Sequence, residues 1–325
     1  MNSQPEKSET DYDVVIIGGA AAGLTAALYA ARRGMKTLVL TKALGGQAAL
    51  TPGVENYPGT KKIGGLELMM QFQEQASASG AEIRYETVTV LEKTEEIFKI
   101  TASGGGVTAA AVILAFGLTP RNLDVPGEEE LLGKGVTYCA TCDGPLYKGK
   151  RVAVVGGTRE ALDAALFLAK LDAAVTLIHE KDDYPTAKDL FEQVKQNDAI
   201  TLQLNSSVTR IEGAERVERI AIQQDGKEET APVDGVFIEN GRKIDSSWLG
   251  DLVEYGPGGA IKTNETKETA TPGLFAAGDL TTQRDKQIVV SAGAGATAAL
   301  SVYAYLQGKR GKPAVLIDWK HTNEA

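Results

Sequence analysis

The chain has 325 residues, 43% of them apolar and 24% charged, with a formal net charge of −9. That length exceeds what one hydrophobic core usually supports, so two domains are expected, and the acidic balance argues against a nucleic-acid partner, whose backbone is held by Lys and Arg. The polar start over residues 1–13 and the lack of an apolar run approaching the ~18 residues of a bilayer span predict neither signal peptide nor membrane segment, and with them a cytoplasmic protein.

In chain order, Asp13-Val14-Val15-Ile16-Ile17 is rich in β-branched residues and predicts a strand. Gly18-Gly19-Ala20-Ala21-Ala22-Gly23 follows, residues 24–33 carry Ala and Leu at helical spacing, and residues 36–41 return to a strand ending in Thr41. This is a βαβ unit of about 30 residues whose glycines let backbone approach a pyrophosphate at the helix N-terminus. Ala20 replaces the middle glycine of that pattern, and Thr41 stands where an acid would hold a ribose. A tight strand-to-helix turn with no ligand is the alternative. Met69 and Met70 read as the core face of a helix around residues 66–72.

Cys139-Ala140-Thr141-Cys142-Asp143 holds the only two cysteines, and His179 and His321 are the only histidines. A four-ligand zinc site cannot be assembled from that set, so no metal is expected. In a cytoplasmic protein the spacing points to a thiol pair that opens and closes during turnover, with two inert buried thiols as the alternative. Asp143 begins an Asp-Gly-Pro run, so a turn role competes with an acid–base role.

Residues 151–155, 160–171 and 174–178 repeat strand, helix and strand around Gly156-Gly157-Thr158-Arg159-Glu160-Ala161. Thr158 sits where a second glycine would admit a pyrophosphate, and Glu160 adds negative charge where phosphate belongs. His179-Glu180-Lys181-Asp182-Asp183-Tyr184 then offers three carboxylates and one Lys, a poor site for a 2′-phosphate, although Glu180 leaves a weak case for a free ribose. Leu274-Phe275-Ala276-Ala277-Gly278-Asp279 reads as a buried strand ending in an acid, and Gly293-Ala294-Gly295-Ala296 as the opening of a helix reaching about residue 307. The fold class expected is α/β, with two Rossmann-like, three-layer dinucleotide-binding domains. The second, over residues 120–244, is inserted into a first built from residues 1–119 and 245–325.

The first Gly-rich turn, Gly45-Gly46-Gln47, Glu55-Asn56-Tyr57-Pro58-Gly59, Val125-Pro126-Gly127-Glu128, Tyr138-Cys139-Ala140-Thr141-Cys142-Asp143-Gly144 and Ala277-Gly278-Asp279 together resemble the low-molecular-weight thioredoxin reductases nearly end to end. The resemblance implies a homodimeric flavoprotein that passes electrons from FAD to the C-x-x-C and then to thioredoxin. It implies that Cys142 is the flavin-side sulfur, that Cys139 attacks the thioredoxin disulfide, and that Asp143 protonates the leaving thiolate or the reduced flavin. It also implies a FAD site made of Gly18, Ala20, Ala22, Gly23, Gly46, Gln47, Asn56, Gly278, Asp279, Gln287 and Ile288. Lys286 precedes Gln287 where that family commonly has Arg, which removes a bidentate donor.

NADPH-using members of that family resemble His-Arg-Arg from position 179 and Gly-His-x-Pro-Asn where this chain has Gly241-Arg242-Lys243-Ile244-Asp245. Loss of both beside an intact C-x-x-C is similar to the pyridine-nucleotide-independent branch, which implies reduced ferredoxin as electron donor. The alternatives are a conventional NAD(P)H-dependent reductase, a flavin dithiol oxidase using dioxygen, and a non-enzymatic flavin redox sensor. The tail with Trp319 and His321 reads as a disordered terminus or as an aromatic that stacks on a partner subunit's flavin.

Overall fold

The computed structural model describes residues 10–51 and 53–314, with Cys142 described through its backbone alone, so the tail carrying Trp319 and His321 lies outside the described residues. The chain divides into two compact units, Met1–Leu118 with Ile244–Ala325 and Thr119–Lys243. In chain order the first unit begins with β1 (Tyr12–Gly19), α1 (Ala21–Arg32), β2 (Thr37–Leu44), α2 (Gly46–Ala49), α3 (Gly65–Ala78), β3 (Glu82–Arg84), β4 (Val88–Lys93), β5 (Phe98–Ala102) and β6 (Gly105–Leu114). The second contains β7 (Thr119–Pro120), β8 (Val136–Thr137), α4 (Ala140–Asp143), β9 (Arg151–Val155), α5 (Arg159–Ala169), β10 (Ala174–Ile178), α6 (Lys188–Lys195) and β11 (Ile200–Gln203). It continues with β12 (Ser206–Glu212), β13 (Arg219–Gln224), β14 (Lys227–Pro232), β15 (Gly235–Ile238) and β16 (Arg242–Lys243), and the first unit is completed by β17 (Leu274–Ala276) and α7 (Ile288–Lys309).

In the first unit one sheet runs β3-β2-β1-β6-β5-β4, with β17 also paired to β6. β1 pairs in parallel with β2 and β6 and is buried on both faces, which is why its sequence is a continuous apolar run rather than an alternation. Val14 and Ile16 pack with α1 and α7, whereas Val15 and Ile17 pack with β4, β5 and the segment around Leu249, so the sheet is sandwiched between two layers. The second unit repeats the logic. Its five-stranded sheet, β11-β10-β9-β15-β8, is parallel throughout. Val152 and Val154 face α5 and α6, while Ala153 and Val155 face the antiparallel sheet β12-β13-β14. The α/β class with parallel dinucleotide-binding sheets is therefore as expected.

Four expectations need correction. α7 starts at Ile288, five residues before Gly293, because Gln287 is extended at its N-cap and β-branched residues form its first turn. The glycines lie inside the helix for packing: a Cβ on Gly295 would fall 2.0 Å from the Ala22 carbonyl oxygen, so α7 crosses α1 at backbone contact. α7 is also long and apolar enough by composition to span a bilayer, against expectation, yet Ala294, Ala298, Ala299, Val302 and Leu306 are buried in the core with α1. Finally, β2 runs past Thr41 to Leu44, and Met69 is buried while Met70 is 56% exposed, so only one of the two methionines is core.

Candidate functional site

One Gly-rich turn follows β1 in the first unit, and another follows β9 in the second. In the first unit, Gly18 has φ of +122°, a conformation that glycine alone adopts without strain. A Cβ on Gly23 would lie 1.8 Å from the Gly18 carbonyl oxygen, so glycine is required there for α1 to seat on β1. Ala20 is the N-cap of α1; it offers no side-chain oxygen, and the first turn contains no acid. The N–H groups and positive end of the helix dipole are thus left for an anion from outside the chain. Thr41 fixes the turn, since its Oγ1 accepts the Gly19 N–H at 3.0 Å and donates to the Ala43 carbonyl at 2.7 Å.

The residues predicted from distant parts of the sequence converge on this turn. A Cβ on Gly46 would lie 3.5 Å from the Ala20 methyl, and Gly278, at φ of +87°, stands against Ala22, where a Cβ would come within 3.0 Å. Gln47 follows Gly46 in α2 and is partly buried. The Asn56 amide donates to Gln287 Oε1 at 3.0 Å across 231 residues of sequence, and Ile288 packs with Ala21, Val54, Leu68 and Met69. Asp279 accepts a hydrogen bond from Ser291 Oγ at 2.9 Å. Ser291 escaped the sequence reading, although it lies one turn beyond Gln287 and one turn before Gly295 on a single face of α7. Lys286 donates to the carbonyls of Asp279 at 2.9 Å and Thr281 at 2.8 Å, so it braces the loop after β17. Burial lowers the Lys286 pKa from its ordinary value, with Asp279 opposing the shift.

In the second unit, Cys139 is the N-cap of α4 and is disulfide-bonded; the Cys142 side chain lies outside the described residues. The buried Thr137 hydroxyl accepts the Cys139 N–H at 3.2 Å and donates to the Asp143 carboxylate. One hydroxyl therefore fixes Asp143 and the first cysteine together. Gly144 anchors this turn on α5, since a Cβ there would lie 2.9 Å from the Phe167 ring. Glu239, which sequence reasoning missed, reaches the same turn: its Oε1 accepts the Ala140 N–H at 3.3 Å. Burial pushes its pKa up to about 7. No local motif marks it, because its partner is 99 residues away in sequence.

The second Gly-rich turn is built unlike the first. A Cβ on Gly157 would fall 2.1 Å from His179 Cε1, so the imidazole stands against the turn. Tyr184 packs on that ring with centroids 4.6 Å apart, and its hydroxyl donates to the Gly156 carbonyl at 2.8 Å. Thr158 turns its hydroxyl to the Glu239 carbonyl at 3.0 Å, and Glu160 occupies the first turn of α5. Burial lowers the His179 pKa, which keeps the ring neutral and makes it a poor anion ligand. Glu180, Lys181 and Asp182 are exposed beside it, and Asp183 turns its carboxylate to the Tyr184 N–H at 2.7 Å.

Residues 12–296 match the pyridine nucleotide-disulphide oxidoreductase family. The chain is similar to the thioredoxin reductase of Treponema pallidum (strain Nichols), at 40% identity over 302 residues covering 92% of this chain and 98% of that one. The structure is similar to that of Lactococcus lactis thioredoxin reductase in its FR conformation, with TM-score 0.75, 33% identity and coverage of 92% and 100% of the two chains. It is also similar to that of T. acidophilum thioredoxin reductase, with TM-score 0.72, 37% identity and coverage of 93% and 100%.

Proposed function

The chain belongs to the pyridine nucleotide-disulphide oxidoreductase family, as a thioredoxin-reductase-like member, and we propose that it is a thioredoxin-disulfide reductase fed by reduced ferredoxin. Its cofactor is FAD. The first Gly-rich turn fits that group: the α1 N-terminus is uncapped and free of acids, and Gly18, Ala20, Ala22, Gly23, Gly46 and Gly278 supply only small side chains around it. These residues, with Gln47, Asn56, Asp279, Gln287 and Ile288, would hold FAD, which when bound supplies an electron pair to the C-x-x-C.

Cys139 then carries the exchange with thioredoxin through a mixed disulfide, and Cys142 resolves it on the flavin side. Asp143, held by Thr137, stands two bonds of the network from Cys139 and protonates the leaving thiolate. Asp143→Asn should slow turnover by roughly 100- to 10,000-fold with FAD content unchanged. A fall below about threefold in steady-state thioredoxin reduction would return Asp143 to a turn role.

The observation that carries the donor assignment is the packing of His179 against Gly157, backed by Tyr184. A neutral ring, a first-turn acid and a carboxylate-rich strand end all oppose an incoming dinucleotide phosphate. A plant-type ferredoxin near ~−400 mV and thioredoxin near ~−270 mV differ by about 130 mV, or roughly 6 kcal/mol for two electrons, so the transfer is downhill. The same reading places the protein in the cytoplasm as a homodimer. Anaerobic mixing with NADPH, NADH and reduced ferredoxin in separate cuvettes tests it: only ferredoxin should bleach the flavin absorbance.

A further inference from the structure

Glu239 has no part in the chemistry above, yet among the described residues its carboxyl accepts a backbone N–H inside the C-x-x-C. It is the first residue after β15, where its N–H donates to the Val155 carbonyl at 2.8 Å, level with the end of β9. Its own carbonyl is pinned by Thr158 Oγ1 at 3.0 Å, and a Cβ on Gly156 would lie 2.2 Å from that oxygen. The backbone is therefore fixed on both sides, and the side chain reaches the Ala140 N–H, next to Cys139. We infer that Glu239 is a positioning residue for the Cys139 disulfide, linking its reduction to an additional bound proton. The inference rests on the redox role proposed for the C-x-x-C.

Reduction breaks the S–S bond of Cys139 with two electrons, taken from the reduced cofactor in turnover or from a dithiol reductant in solution. Solvent protons convert the sulfurs to thiols, or leave one as thiolate when the pH is high. A thiolate beside ionised Glu239 places two negative charges in one partly buried site, so each raises the proton affinity of the other. In the oxidised protein burial already holds the Glu239 pKa at about 7, with the Ala140 N–H and then Arg242 favouring the ionised form and Glu160 disfavouring it. From the packed elements, α4 brings Asp143, engaged by Thr137 of β8, and α5 brings Glu160, while Arg242 comes from β16. The sign follows. Above pH 7 ionised Glu239 opposes the thiolate and makes the disulfide harder to reduce; below about pH 6, with Glu239 protonated, that opposition is gone.

The experiment equilibrates the FAD-loaded full-length protein in dithiothreitol buffers of set ratio from pH 6 to 9, traps thiols with maleimide, and reads Cys139 labelling by mass spectrometry. Glu239→Gln should match wild type near pH 6. Between pH 7 and 9 its reduction equilibrium should fall less steeply, by up to tenfold per pH unit, or about 30 mV for a two-electron couple. Parallel pH dependences in the two proteins would overturn the inference. Should the variant not fold, wild type alone decides: two uncoupled thiols of ordinary pKa ~8.5 take up about one proton at pH 8.5, and uptake at or below that overturns it. If Cys139 never becomes labelled at any reductant ratio, the redox role of the C-x-x-C fails and the linkage with it; if it titrates with parallel slopes, only the linkage fails.

Discussion

Cys139→Ser should bind FAD as wild type does and reduce thioredoxin only at the uncatalysed background rate. The serine hydroxyl has nearly the shape of the thiol, and the surrounding frame is held by other groups: the Cys139 N–H by Thr137, the Ala140 N–H by Glu239 and Gly144 by its fit on Phe167. Fold and cofactor content are therefore preserved. What is lost is the sulfur that exchanges with a partner disulfide, a step that needs a thiolate and that no hydroxyl performs at neutral pH. Thioredoxin thiols counted over time with each donor check it. Appreciable turnover by the variant would mean that electrons leave the protein by a route other than Cys139.

The second large effect concerns Gly23→Ala. The added methyl would lie 1.8 Å from the Gly18 carbonyl oxygen, and neither backbone atom yields without moving α1 off β1. Overpacking of this kind costs about 1–3 kcal/mol, and the displaced helix start is the surface proposed to hold the pyrophosphate. FAD affinity should fall between about fivefold and about 150-fold, together with a lower thermal midpoint for the cofactor-free protein. Reconstitution with FAD followed by equilibrium dialysis reads the first quantity and thermal unfolding the second. Unchanged values for both would show that the close approach of Gly23 to Gly18 is not needed for the fold or for the cofactor.

What the sequence disclosed depended on how local each constraint is. The β1 turn was legible because a positive φ at Gly18 and a steric demand at Gly23 are met within six residues. Parallel strands were legible as apolar runs since both faces are covered. Gly293 and Gly295 misled the reading of α7: glycine next to alanine looks like a helix opening, but at Gly295 it is the close crossing on Ala22 that demands it, a contact 273 positions away in sequence. The same holds for the site. Asn56 and Gln287 were each identified by motif, but their hydrogen bond was not; Ser291 on Asp279 and Glu239 on Ala140 carried no motif at all. At the second turn, Thr158 and the acidic strand end were visible as departures from a pattern. That His179 and Tyr184 pack into the turn follows only from folding β10 beside β9.

The central claim is that electrons reach Cys139 and thioredoxin without a pyridine nucleotide. The most direct test is steady-state reduction of thioredoxin under anaerobic conditions by the purified protein, with either millimolar NADPH or a catalytic amount of ferredoxin kept reduced, thiols being counted over minutes. The proposal predicts sustained thiol formation with ferredoxin, and the packing of the Gly156–Thr158 turn predicts none above background with NADPH. Rapid NADPH-driven turnover would contradict the account and make this a conventional reductase that binds its nucleotide despite His179 and Thr158.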